Sequence, residues 1–134
     1  MKKMLCYLSL VIVIICSSAF NHQSQVPDEL IGKWNLRAIH SKLIGTLEIK
    51  ADGNYSFIVA PNYNEAGILA FSERKNPQEI NMIVRSRGSS GATIRGIYTI
   101  RNGTLELCLG KMNEARPLAF SYDGNRSVYW RGTK

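Results

Sequence analysis

Along most of the chain, apolar residues recur at every second position, the period of a β-strand with one face buried and one face wet. Trp34, Leu36 and Ala38 alternate with Lys33, Asn35 and Arg37. Leu43, Gly45, Leu47 and Ile49 alternate with Thr46, Glu48 and Lys50, and Tyr55, Phe57 and Val59 follow. The same form returns in Ile80, Met82 and Val84, in Ile94, Gly96, Tyr98 and Ile100, and in Leu105, Leu107 and Leu109. Leu118, Phe120 and Tyr122, then Val128 and Trp130, complete it. With a weaker stretch at 68–71, the pattern predicts about nine short strands.

Hairpin chemistry punctuates these runs. Asp52-Gly53, Asn102-Gly103 and Asp123-Gly124 each stand between two alternating segments, and such pairs supply the positive φ angles of tight hairpin turns. Consecutive strands are therefore expected to be antiparallel neighbours. After Gln25 no stretch sustains a 3.6-residue period, although 27–30 has room for one helical turn. Many short strands must hide their edges, and closing an up-and-down sheet into a barrel does so. A sandwich is the alternative, but the hairpin signals favour a meander over Greek-key crossovers. The expected fold is all-β, a small antiparallel up-and-down barrel of about eight or nine strands over residues 27–134, with loop tips at 61–66 and 86–91.

The N-terminus has a different character. Lys2 and Lys3 precede an apolar run at 5–15 that is interrupted only by Ser9. A bilayer span needs about 20 apolar residues, so this run reads as a signal segment and the protein as exported. Ser17 and Ala19 place small residues where signal peptidase cuts, giving a segment of 1–19 and a secreted or periplasmic product. Cys16, followed by Ser17 and Ser18, offers the alternative of a lipoprotein with the segment ending at 15, although Ile15 is bulky for the position before a lipidated cysteine. In that case the lipid is the expected membrane contact. Residues 20–26 read as a polar tether.

Composition narrows the chemistry. If the segment is cut after Ala19, Cys6 and Cys16 leave with it, and Cys108 has no partner for an internal disulfide. Two histidines, His22 and His40, and scattered cysteines do not make a metal site. Seventeen basic against ten acidic residues give a net charge of +7, but no basic run exceeds Arg74-Lys75, so a solvated surface is the reading and nucleic acid is not an expected partner. Cys108 has no histidine near it in sequence, and Glu48 and Glu106 fall on the polar phase of their strands. No catalytic motif or cofactor-binding motif is present. Gly88-Ser89-Ser90-Gly91 lacks the lysine and following helix of a phosphate loop. The sequons at Asn54, Asn102 and Asn125 sit where turns favour asparagine.

Two stretches resemble known families. Gly32-Lys33-Trp34, entered from Asp28-Glu29-Leu30-Ile31, resembles the G-x-W signature that opens the first strand of lipocalins. That resemblance implies a tryptophan plugging the closed end of a barrel with an arginine packed over it, here Arg131, with Arg126 as the second candidate. The second stretch comprises Lys75-Asn76-Pro77-Gln78-Glu79-Ile80-Asn81, Gly96-Ile97-Tyr98, Gly103-Thr104-Leu105-Glu106-Leu107-Cys108, and Arg116-Pro117 before Phe120. It resembles an uncharacterised bacterial lipocalin-like domain family, from which Tyr129-Trp130-Arg131-Gly132 departs where a more aliphatic last strand is the pattern. The resemblance implies a barrel and brings no catalytic or ligand residues with it.

The functional expectation is an exported binding module for a small apolar ligand. Its interior would be lined by Leu47, Tyr55, Phe57, Met82, Tyr98, Leu107 and Phe120, with a tyrosine as polar handle. The alternative is a filled barrel whose surface contacts another macromolecule in the envelope. A lined void favours the first and a close-packed centre the second.

Overall fold

The computed structural model describes residues 25–72, 75–86 and 91–134. The expected signal segment, Cys16, most of the expected tether and residues 87–90 of the second expected loop tip lie outside the described residues. Eight strands follow one another: β1 (Gly32–Ala38), β2 (Ile44–Ile49), β3 (Asn54–Val59), β4 (Tyr63–Ser72), β5 (Gln78–Val84), β6 (Thr93–Arg101), β7 (Thr104–Met112) and β8 (Ser127–Thr133). Each pairs antiparallel with the next and β8 returns to β1, so the sheet is a closed up-and-down barrel with no free edge.

The period of two sets the inside and the outside. Trp34, Leu36 and Ala38 of β1 are buried while Lys33, Asn35 and Arg37 are exposed, and β2 and β3 repeat the pattern. The Asn102-Gly103 turn has φ of 50° and 75°, the two positive values that match a tight turn to the strand twist. At the β2–β3 turn, the Asp52 carboxylate accepts the Asn54 backbone N–H at 2.9 Å.

Two expected features differ. The run at 118–122 forms no strand. It belongs to a connection between β7 and β8 that lies against the outer wall, and Asp123-Gly124 closes only a single bridge, Asp123 to Ser127. Among the apolar residues of this run Phe120 alone is half-buried, while Leu118 is 93% exposed. On the outer face Cys108 and Ile97, cross-strand neighbours, are buried, and the Cys108 thiol donates to the Ser121 carbonyl at 3.4 Å. The expected loop at 61–66 is largely strand, since β4 begins at Tyr63. There the inward phase runs back from Leu69 through Gly67 to Glu65, a carboxylate in a core position that breaks the apolar pattern.

One end of the barrel is plugged. A 3-10 turn (Asp28–Leu30) brings Leu30 beneath Trp34, whose indole N–H donates to the Leu30 carbonyl at 2.8 Å. Trp34 is 1% exposed, as the G-x-W resemblance implies. The cation over its ring is not the expected arginine but Lys134, with Nζ 5.0 Å from the ring centroid. Phase explains the correction: Trp130 points inward on β8, so Arg131 points outward and meets Glu106 on the neighbouring strand. Arg126 is exposed before β8 begins.

Candidate functional site: a cup at the open end

The opposite end holds a cavity of about 680 Å³ that opens to solvent. Its wall comes from the open-end portions of five strands. Phe57 and Val59 come from β3, Tyr63 and Glu65 from β4, Ile94 from β6, Leu109 from β7, and Val128 and Trp130 from β8, with Leu43 and the 60–62 turn at the rim. Volume and apolar lining both fit one small organic molecule.

Local sequence makes the room. Gly45 sits on the inward phase of β2, where an added Cβ would come 2.8 Å from the Phe57 ring and 3.3 Å from Trp130. The missing side chain lets those two rings pack edge to face, with centroids 5.2 Å apart. They lie one inward step deeper on their strands than Val59 and Val128 and so limit the cup from below. On the opposite side, a register shift between β6 and β7 near Ile94 and Gly96 changes the phase of the wall, so that both Leu109 and Met112 lie opposite inward residues.

Glu65 is the polar centre of the cup. It is 1% exposed and accepts two phenol hydrogens, from Tyr55 at Oε1 (2.7 Å) and from Tyr63 at Oε2. A buried carboxylate is costly unless it is hydrogen-bonded, and the two tyrosines answer that cost from below and from the rim. Burial pushes both phenols above their ordinary range, and hydrogen bonding to Glu65 adds to the shift, so both remain donors. Among the described residues lining the cavity there is no lysine, arginine or histidine.

The seven residues expected to line a ligand site divide three ways. Phe57 lines the cavity, and Tyr55 supports it through Glu65. Leu47, Met82, Tyr98 and Leu107 point inward but are buried in the core cluster, and none of them lines the cavity. Phe120 is outside the barrel, its ring 6.1 Å from that of Tyr129, because its segment crosses the outer wall instead of entering the sheet. Sequence reasoning missed Glu65, Tyr63 and Trp130 as cavity residues. Extending the alternation of β4 back through Gly67 identifies Glu65 as an inward carboxylate.

The cup joins apolar walls to a single carboxylate, and Cys108 lies on the other side of the wall, its thiol pushed up by burial. Comparison with protein-family models, with curated proteins and with solved structures finds nothing that matches this chain.

Proposed function

We propose that this is an exported, lipocalin-like binding protein that holds one small, mainly apolar molecule in the cup at the open end of its barrel. The observation that carries the reading is the cavity of about 680 Å³ above a packed lower half, since a barrel serving only as a solid surface has no need of an apolar void. Export rests on the charged start and apolar run of the N-terminus, and the G-x-W opening with its plugged end supports the lipocalin-like comparison.

A thermal-shift screen of fatty acids, isoprenoids and aromatic metabolites tests the binding. A ligand that avoids the unfolded chain stabilises by about 2.7 kcal/mol at a hundredfold excess over its Kd. At least one compound is expected to raise Tm in the wild type and to lose that effect in Phe57→Ala. If no compound shifts Tm or the Trp130 fluorescence, carriage is replaced by the filled-barrel reading. Mass spectrometry of protein taken from its native envelope tests export, through cleavage near Ala19 or a lipid on Cys16.

A further inference from the structure

We propose that the ligand of the cup is a small organic cation, its ammonium group seated at the Glu65 carboxylate and its apolar body against Phe57 and Trp130. This deepens the binding reading and rests on it.

The argument starts from charge. Phenol donors satisfy hydrogen bonds but carry no positive charge, so the Tyr55 and Tyr63 hydroxyls bond to the Glu65 carboxylate without supplying a counter-charge. The described lining residues offer no cation, and a charge held among apolar walls is far better compensated by a counter-charge than by dipoles. A carboxylate has about four lone-pair sites, so Glu65 can keep its bond from Tyr55 while it accepts an N–H donor. A ligand carboxylate would instead meet a like charge.

The walls agree with this chemistry. Phe57, Tyr63 and Trp130 present aromatic rings around the cup, and aromatic faces attract ammonium groups, the more so when water is excluded. Tyr63 governs access. It is 45% exposed at the rim while Tyr55 is 3% exposed, so Tyr55 is the fixed partner and Tyr63 the exchangeable one. An entering ammonium takes the acceptor position that Tyr63 holds in the empty cup.

Three probes sharing one body separate the head groups: 4-phenylbutylamine, 4-phenylbutanol and 4-phenylbutyrate, titrated calorimetrically into the wild-type protein. The amine is expected to bind about tenfold or more tightly than the alcohol, and the acid most weakly. In Glu65→Gln the amine should fall to the level of the alcohol, whose own affinity holds. In Tyr63→Phe, which keeps the carboxylate and removes the competing hydroxyl, the amine should retain its advantage. Equal binding of amine and alcohol by the wild type overturns the cation proposal while leaving the cup as a binding site. So does a preference that survives Glu65→Gln. If none of the three binds, the cation proposal is likewise overturned, and the binding reading is judged by its own screen.

Discussion

Tyr55 donates its phenol hydrogen to Glu65 across 2.7 Å, from one strand of the barrel to the next, where both residues are shielded from solvent. The bond ties the packed interior to the cavity wall, because Tyr55 lies in the core without lining the cavity and Glu65 lines it. Removing the hydroxyl leaves Glu65 with a single protein donor in an apolar surround. Tyr55→Phe is therefore expected to destabilise the fold by about 1–3 kcal/mol, the cost of an unsatisfied buried polar group. Tyr63→Phe should cost less, because water reaches the rim. Urea midpoints of the two variants, taken at constant m-value, check the order.

At the plugged end, Trp34 combines burial, a hydrogen bond to Leu30 and the Lys134 ammonium above its ring. Trp34→Ala should cost about 3–5 kcal/mol, as buried aromatic truncations do. Lys134→Ala should cost about 0.5–1 kcal/mol, the range of an exposed cation–π contact. In a Trp130→Phe background, which isolates the emission of Trp34, Lys134→Ala should alter the spectrum and Arg131→Ala should not. The reverse result would restore the arginine to the role that the lipocalin resemblance gave it.

How much of this was legible in the sequence follows from which signals are local. Strand phase and hairpin turns depend on near neighbours, so the alternation around Trp34 and the Asn102-Gly103 turn translated directly into β1 and the β6–β7 hairpin. Alternation also put Leu47, Met82, Tyr98 and Leu107 inside. It says nothing of how high on the barrel each stands, and height decides whether an inward side chain meets another side chain or a void. The segment holding Phe120 fits the strand pattern as well as β5 does, yet its outward packing on Tyr129 serves the exposed side of the sheet. Glu65 was obscured for a related reason: a carboxylate in the inward phase makes a strand read as a loop, and such departures from pattern tend to mark functional positions.

On the outer wall, Glu106 accepts hydrogen bonds from Arg131 and Tyr129. The Arg131 guanidinium holds its carboxyl below the ordinary carboxylate range, with the Tyr129 hydroxyl adding and partial burial opposing. A carboxyl lowered in this way stabilises the fold above its unfolded pKa of about 4.3, and that contribution is lost as pH falls through the lower folded value. The stability gap between wild type and Glu106→Gln should therefore be present at neutral pH and close on acidification below about pH 4. Its size should be that of a surface ion pair, since Arg131 is more than half exposed, and added salt should shrink it. Paired urea titrations across pH measure the gap directly.

Arg116 binds the β7–β8 connection to the barrel. Its guanidinium donates to the Ile80 carbonyl at 3.0 Å, the Gly96 carbonyl at 2.7 Å and the Asn81 amide oxygen at 2.7 Å, and lies 3.4 Å from the Glu79 carboxylate. The same connection covers Cys108 through Ser121. With burial raising its pKa, the thiol should react slowly with a disulfide reagent in the native protein, because thiolate is scarce and access requires the connection to lift. Hydrogen bonds to a charged group contribute about 1.5–3 kcal/mol each, so Arg116→Ala should ease that lifting by more than the 1.4 kcal/mol that corresponds to about a tenfold change in open population. Native-state labelling of Cys108 should accordingly accelerate about tenfold or more in Arg116→Ala, while the barrel keeps its far-UV spectrum. An unchanged labelling rate would mean that Cys108 is uncovered by global unfolding alone, and that the connection is held by contacts other than Arg116.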